Sequence, residues 1–166
     1  MSDRIASLGR AHDFARPHSE QSRPIVGEVT LHGLLENLLA PYQNVDGTRI
    51  RITGDDPSVD DRGATPLALL FHERATNAAK YGALSVPDGR VELRSTVETD
   101  RILITWQEVE GLPLTGQPYA TGFGSQLVRM SVEQKMLGSN IQRWEPDGLT
   151  VEVQLPLGSV ARSTTA

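Results

Sequence analysis

The stretch TPLALLFHERATNAAKYGALS, residues 65–85, decides the fold of this 166-residue chain, because it predicts one long helix with two chemically different faces. Thr65 followed by Pro66 is typical of a helix start, and we expect the helix to end at about Tyr81 and Gly82. At 100° per residue, the apolar face consists of Leu67, Phe71, Ala75 and Ala78, and the opposite face of Leu69, Glu73, Asn77 and Lys80.

The polar face places a carboxylate, a carboxamide and an ammonium group one helical turn apart. This set suits a metal-bound polyphosphate, because the Asn77 oxygen is a hard ligand for Mg²⁺ and Lys80 can neutralise phosphate charge. Glu73 can accept a proton or orient a water molecule. The alternative is a solvated face with a Glu–Lys pair, and the helix alone favours that alternative.

A second chemical signal lies on residues 101–109, which alternate as a strand. Ile102, Ile104, Trp106 and Glu108 point to one side of it. The carboxylate of Glu108, at the end of an apolar face, needs a partner. An adenine amino group in a half-buried pocket would be one, and water beyond the sheet is the alternative. Trp106 is more typical of core than of a stacking platform.

The remaining elements predict an α+β fold with helices on one face of the sheet. We predict helices at 3–15, 30–40 and 125–137, strands at 48–54 and 89–97, an acidic loop at 55–63, a glycine- and proline-rich loop at 110–124, and a hairpin from 139 to 157. The helix at 30–40 has a leucine stripe, with Thr30 as its cap. Residues 1–27 form a helix and linker, 28–158 one domain, and 159–166 a tail that we expect to be disordered.

Composition excludes several classes of protein. The chain has 16 Lys and Arg against 21 Asp and Glu, hence a net charge of −5, and no basic patch typical of duplex-binding proteins. The absence of cysteine excludes disulfides, thiolate zinc sites and cysteine nucleophiles. No apolar run approaches the ~20 residues of a membrane span, and the N-terminus lacks a signal-peptide core. We therefore expect a cytoplasmic protein that binds no nucleic acid.

Motifs of other enzyme classes are missing from the sequence. The GFGS at 122–125 is followed by Leu127 where a dinucleotide fingerprint needs its third glycine. There is no GxxxxGK[ST] loop and no HExxH pair, and Ser125 is not part of a GxSxG elbow.

Several motifs in order resemble the HWE family of sensor histidine kinases, which is named for a His in its Asn-box helix and a Trp-x-Glu in the next box. The segments that resemble those two boxes are HERATNAAKYGALS at 72–85 and WQE at 106–108. GFGSQLV at 122–128 resembles the box after the ATP lid, and PDGLTVEVQLP at 146–156 the closing hairpin. RIASLGRAHDFA at 4–15 resembles the end of the dimerisation helices, and LLENLLAPY at 34–42 the first helix of the catalytic domain.

The resemblance, which covers about residues 4–157, implies a Bergerat-type α/β sandwich with a mixed sheet that binds ATP and Mg²⁺. It implies that Asn77 binds Mg²⁺, that Glu73 acts beside it as a catalytic residue, that Lys80 lies near phosphate and that Glu108 binds adenine. The other nucleotide-binding residues that it implies are His72, Tyr81, Trp106, Gly111, Gly122, Phe123, Gly124 and Ser125.

The family transfers the γ-phosphate of ATP to a histidine in an HRxxN-like segment, which this chain does not contain. His12 matches a later, AHDLL-like stretch, so we expect the acceptor histidine outside this chain. The implied partners are the upstream dimerisation helices and sensor domain of a parent kinase and a response regulator, with a homodimer possible. The alternatives are a degenerate domain that acts by binding a partner, and another GHKL ATPase or serine kinase, which Trp-x-Glu and a short lid disfavour.

Three positions depart from the family pattern: Arg74 and Leu112 replace the usual Leu and Pro, and Glu110 replaces a glycine. Helical geometry places Arg74 beside Leu67 and Leu70. The opposite charges of Arg74 and Glu110 permit a salt bridge. Without that bridge Glu110 would face the triphosphate, so we expect Glu110→Gly to tighten Mg-ATP binding at low salt.

Overall fold

The computed structural model describes residues 29–111 and 123–161. The predicted helix and linker in residues 1–27 and most of the loop at 110–124 lie outside these residues. The strands are β1 (Val29–Thr30), β2 (Ile50–Gly54), β3 (Ser58–Val59), β4 (Arg90–Val97), β5 (Arg101–Val109), β6 (Ser139–Glu145) and β7 (Gly148–Pro156). Five of them form a mixed sheet in the order β2-β4-β5-β7-β6, in which β2 is parallel to β4 and all other neighbours are antiparallel. Strands β1 and β3 pair separately.

Four α-helices accompany the described strands and confirm the predicted α+β class: α1 (Leu31–Leu39), α2 (Asp61–Tyr81), α3 (Phe123–Arg129) and α4 (Leu157–Val160). Short 3₁₀ turns follow α1 at Ala40–Tyr42 and α2 at Ala83–Ser85. Helix α3 continues as a π-helical turn through Met130–Lys135, so the predicted helix at 125–137 begins two residues earlier than expected.

The core lies between the helices and one face of the sheet. The predicted stripe on α1 is confirmed, since all five of its leucines are buried, and the Thr30 hydroxyl accepts a hydrogen bond from Gly33 N–H at 3.1 Å. Ile102, Ile104 and Trp106 of β5 and Val151 and Val153 of β7 cover the same core. Burying each such side chain contributes about 1.5–3 kcal/mol.

Helix α2 begins four residues before the predicted start. Its cap is Asp60, whose carboxylate accepts hydrogen bonds from Arg62 N–H at 3.0 Å and Gly63 N–H at 3.3 Å. The acidic stretch predicted as a loop therefore contains β3 and the first turn of α2. Pro66 lies in the second turn, where it lacks an N–H for the Arg62 carbonyl but does not end the helix.

The expected disordered tail is corrected at its first residues, which complete α4. Val160 is buried, its carbonyl accepts a hydrogen bond from Asp60 N–H at 3.0 Å, and a Cβ added to Gly63 would come within 2.9 Å of its Cα. Ser159 donates a hydrogen bond to the Met136 carbonyl at 2.7 Å. The C-terminal turn therefore packs against the start of α2 and the end of the helical segment after α3.

Of the helices within the described residues, none is both long enough and apolar enough to cross a membrane.

Candidate functional site

The predicted polar residues of helix α2 are buried to different extents. Lys80 is exposed, Tyr81 is 47% exposed and Asn77 is half-buried. Glu73, by contrast, is only 9% exposed, and His72 is buried too. The two-faced helix of the sequence prediction is therefore too simple: α2 is enclosed over most of its length, and Asn77, Lys80 and Tyr81 reach the surface near its C-terminal end.

Glu108 is buried and is held by two hydrogen bonds from the chain. It is 5% exposed, and its Oε1 accepts a hydrogen bond from Ala83 N–H at 3.0 Å, while its Oε2 accepts one from Trp106 Nε1 at 3.1 Å. The sequence left an adenine amino group or water as its partner, and the structure provides two donors from the chain itself. A carboxylate has about four lone-pair positions, so Glu108 can still accept a further hydrogen bond at each oxygen.

Burial raises the pKa of Glu108, because desolvation disfavours the charged form. Three contacts oppose that effect: the hydrogen bond from Ala83 N–H, the hydrogen bond from Trp106, and the positive charge of Arg74. The protonation of this buried carboxyl is therefore set by a balance between its burial and groups on α2, β5 and the turn after α2.

Trp106 belongs to the core, as the sequence favoured. It is fully buried, and its ring centroid lies 6.2 Å from that of Phe71 at an interplanar angle of 30°. Its indole N–H orients Glu108. Because its ring is fully buried, Trp106 offers no surface on which a base could stack.

The turn after α2, Ala83–Ser85, is held from three sides, and sequence reasoning missed Arg49, one of the residues that hold it. Gly82 lies directly on Glu108, so that a Cβ added there would overlap its Oε1. Arg49 Nη2 donates hydrogen bonds to the carbonyls of Leu84 at 2.9 Å and Val86 at 2.7 Å. A Cβ added to Gly111 would come within 2.8 Å of Ala83 Cα. Together these contacts fix the end of α2, and with it Asn77, Lys80 and Tyr81.

Ala83 lies within the quoted Asn-box segment and follows Gly82, so the motif contains its signal. Arg49 gives no such signal, because an arginine at the start of a strand has no pattern that links it to carbonyls 35 and 37 residues away.

The salt bridge that the opposite charges of Arg74 and Glu110 permitted does not form. Glu110 instead pairs with Arg90, whose Nη1 lies 2.6 Å from Glu110 Oε2, and 61% of the Glu110 side chain is exposed. Arg74 is buried, as its expected position beside Leu67 and Leu70 requires, and its charge acts on Glu108. The expectation that Glu110→Gly tightens Mg-ATP binding stays a prediction, but pairing and exposure both weaken the repulsion on which it rested.

The start of α3 completes the set of predicted residues. Phe123, Gly124 and Ser125 form its first turn, and α3 packs on α2. Gly122 and Leu112 lie outside the described residues.

The donor set fits ATP with Mg²⁺. No group of three His, Asp or Glu side chains that could hold a metal occurs within residues 29–111 and 123–161. A single carboxamide oxygen such as that of Asn77 is nevertheless a sufficient protein contribution to Mg²⁺, which takes most of its ligands from water and phosphate. Exposed Lys80 would supply a cation for phosphate, and Glu108 would supply an acceptor for an amino group.

Comparison with known proteins identifies relatives. The chain is 31% identical over 160 residues to blue-light-activated histidine kinase 1 of Erythrobacter litoralis, and this match covers 95% of the chain and 43% of that protein. It is 31% identical to the blue-light-activated histidine kinase of Brucella anthropi, over 95% of the chain and 31% of that protein. The chain therefore spans less than half the length of these curated relatives. No protein-family model matches it.

Solved structures share the fold. The histidine kinase domain of the Erythrobacter litoralis blue-light-activated kinase superposes with a TM-score of 0.68 at 22% identity, covering 95% of this chain and 74% of that one. The histidine kinase domain of the Escherichia coli osmosensor EnvZ gives 0.55 at 16% identity, over 87% of this chain and 98% of that one. Histidine kinase ThkA, in a complex with the response regulator protein TrrA, gives 0.57 at 15% identity, over 92% of this chain and 48% of that one.

Proposed function

This chain is homologous to histidine kinases and has the fold of their catalytic domains, and we propose that it binds Mg-ATP at the C-terminal end of α2 and transfers the γ-phosphate to a histidine outside the chain. The observation that carries this proposal is the position of Glu108. Its buried carboxylate accepts a hydrogen bond from the turn that directly follows α2, the helix that carries Asn77 and Lys80. One short segment therefore connects a hydrogen-bond acceptor for the base to the proposed phosphate-binding surface.

In this proposal, different residues of α2 bind the metal ion, bind the phosphate groups and orient the reacting group. Asn77 would contribute one oxygen to Mg²⁺, and the metal would neutralise phosphate charge when it is bound. Lys80 lies one turn further along the helix and attracts the phosphate oxygens. Glu73, largely buried on the preceding turn, orients the group that is to be phosphorylated or a water of the metal shell. Phosphoryl transfer demands mainly positioning and charge stabilisation, which such a rigid helix provides.

At the base end, Glu108 accepts a hydrogen bond from the exocyclic amino group of adenine. Trp106 and Ala83 already hold the carboxylate in place, so binding costs little ordering of this side chain. His72, Trp106 and Glu108 together support assignment to the HWE family, since they supply the residues for which the family is named.

The partners belong to the proposal as well. The accepting histidine lies on dimerisation helices that precede the catalytic region, and a response regulator takes the phosphoryl group from it. A homodimer of such helices would bring a catalytic region to each acceptor. Since this activity consumes ATP, we place the chain in the cytoplasm.

The experiment that tests the proposal compares ATP with inosine triphosphate, which carries a carbonyl where adenine has its amino group. We expect ATP with Mg²⁺ to bind at least about 100-fold more tightly, because the inosine carbonyl would face the Glu108 carboxylate without a hydrogen bond. Glu98→Gln, which alters an exposed carboxylate, is the matched control for Glu108→Gln, which should lose this preference. Equal binding of the two nucleotides by the parent protein would refute the role of Glu108.

The other candidate, a domain that binds a partner without nucleotide, rests on the charge of Glu110 where the family has glycine. Arg90 offsets that charge. Failure of the parent protein to bind either nucleotide would favour this candidate over the kinase.

A further inference from the structure

Arg49 lies immediately before β2, where polar contacts fix its backbone. Asn44 Oδ1 accepts a hydrogen bond from Arg49 N–H at 3.2 Å, and the Arg49 carbonyl accepts one from Val91 N–H of β4 at 2.9 Å. The next residue, Ile50, is held by the side-chain amide of Gln43, which accepts from its N–H and donates to its carbonyl, each at 2.9 Å. The Arg49 side chain therefore extends from a backbone that is anchored on both sides.

From this position the guanidinium of Arg49 reaches the turn after α2. Its Nη2 donates hydrogen bonds to the carbonyl of Leu84, within the turn, at 2.9 Å and to that of Val86, directly after it, at 2.7 Å. Both carbonyls lie just beyond the C-terminal end of α2, where a cation is favoured by the helix dipole. Since the donor is charged and only partly exposed, these bonds are stronger than those between neutral groups.

The same turn orients Glu108. Ala83 N–H, one residue before Leu84, donates a hydrogen bond to Glu108 Oε1 at 3.0 Å. Two glycines pack closely on Ala83: a Cβ added to Gly89 would overlap the Ala83 carbonyl, and a Cβ added to Gly111 would come within 2.8 Å of Ala83 Cα. Because the neighbouring chain is this close, a movement of the turn also moves the N–H that holds the carboxylate.

Local hydrogen bonds shape this turn without fixing its position relative to the sheet. Ser85 N–H donates to the Gly82 carbonyl at 3.0 Å, and Gly89 N–H donates to the Val86 carbonyl at 3.3 Å. These bonds join residues three positions apart, so they move with the turn. Arg49, by contrast, is 35 and 37 positions from the carbonyls that it binds, and it ties them to the start of β2.

We propose that Arg49 is a positioning residue for base specificity: it holds the turn after α2 so that Ala83 N–H keeps the Glu108 carboxylate oriented toward the base. The base itself rests on the proposed function above. In this arrangement Arg49 contacts neither base nor phosphate, so its removal should weaken the discrimination between bases and leave phosphate binding unchanged. The hold on the turn is a property of the nucleotide-free protein and can be measured without any nucleotide.

The first test is amide hydrogen exchange of Ala83, followed by NMR in the nucleotide-free protein. We expect exchange to be at least about tenfold faster in Arg49→Met, because local opening of the turn becomes easier. Arg49→Lys keeps a charged donor and should stay near the parent. Arg51→Met, which removes an exposed arginine two residues further along β2, is the matched control and should leave the rate unchanged. A parental rate in Arg49→Met would overturn the proposal.

Nucleotide binding gives a readout that a purely stabilising residue would not move. In Arg49→Met the preference for ATP over inosine triphosphate should fall at least about tenfold, with Arg49→Lys retaining most of it. Trp106 still donates to Glu108 Oε2 in this variant, so some preference remains. Inorganic triphosphate with Mg²⁺, which has no base, should bind within about twofold of the parent. An equal loss of affinity for triphosphate and for ATP would overturn the proposal.

The two readouts separate this proposal from the function on which it rests. A parent protein that binds neither nucleotide would refute the proposed function, and exchange at Ala83 would still decide whether Arg49 holds the turn. A parent that prefers ATP, with the same preference in Arg49→Met, would leave the function intact and overturn the role of Arg49. If Arg49→Met does not fold, Arg49→Gln, a milder variant with a neutral amide, is measured under the same expectations.

Discussion

Arg90 Nη1 donates a hydrogen bond to Glu110 Oε2 over 2.6 Å, and this contact holds a residue whose backbone is left-handed, with φ at 55°. The pair joins β4 to the chain that leaves β5. A glycine adopts this conformation without strain, whereas a residue with a Cβ is about 1–2 kcal/mol less stable in it. Arg90 therefore stabilises a glutamate at a position where the backbone conformation favours glycine.

Glu110→Gly should relieve this strain and Glu110→Ala should not, although both remove the ion pair with Arg90. We expect the glycine variant to be more stable than the alanine variant by about 1 kcal/mol. Urea unfolding followed by circular dichroism measures the difference. Equal stabilities would show that the left-handed conformation is not retained in solution.

Gly82→Ala should destabilise the protein and displace Glu108. The added Cβ would overlap Glu108 Oε1 and approach Ala78 Cα within 3.1 Å, so either the carboxylate or the turn after α2 must move. We expect a loss of about 1–3 kcal/mol. The control is Gly158→Ala, where a Cβ meets nothing within 4 Å. A Gly82→Ala protein as stable as the Gly158→Ala protein would contradict the contact.

Glu108 should make stability fall as pH rises. Because its pKa is raised on folding, its favourable contribution is complete below the ordinary pKa of a glutamate and is lost as pH rises through the folded value. Glu108→Gln removes this titration, so the free energy of unfolding of the parent, minus that of the variant, should decrease across this window, with a slope of at most about 1.4 kcal/mol per pH unit. Glu98→Gln is the exposed control, and a flat difference for Glu108→Gln would refute the raised pKa.

The chain incubated alone with labelled ATP should form no stable phosphohistidine, since we expect the acceptor outside it. The His12→Ala variant should likewise form no phosphohistidine. Acid-labile label that appears on the parent and disappears in His12→Ala would show that His12 is the acceptor after all.

The sequence predicted the parts of the fold that local patterns control. The α1 stripe, the alternation of β5 and the hairpin of β6 and β7 follow from periodicity and turn residues, and the structure confirms them. The predicted start of α2 was wrong because Asp60 and Thr65 are both possible N-caps. Asp60 is the cap in the structure, and its N–H donates a hydrogen bond to the carbonyl of Val160, about 100 residues away. No local pattern contains that contact.

In the candidate site, too, local patterns predicted some features, and contacts between distant residues determined the others. The burial of Trp106, and the side of β5 on which Glu108 lies, could be predicted from strand alternation. The partner of Glu110 could not, because the choice between Arg74 and Arg90 depends on strand register, which places Arg90 opposite Val109, next to Glu110. The burial of Glu73 was also missed, since periodicity shows which residues share a face but not what covers that face.

The most direct test of the account is calorimetric titration of Mg-ATP into the parent protein, Asn77→Ala and Asn37→Ala, the last an exposed asparagine of α1. We expect the parent and Asn37→Ala to bind alike, and Asn77→Ala to lose at least about tenfold in affinity, because it removes the proposed protein ligand of Mg²⁺. Its unfolding free energy should change by less than about 1 kcal/mol. Asn77→Ala that binds Mg-ATP as tightly as the parent would contradict the nucleotide site proposed on α2.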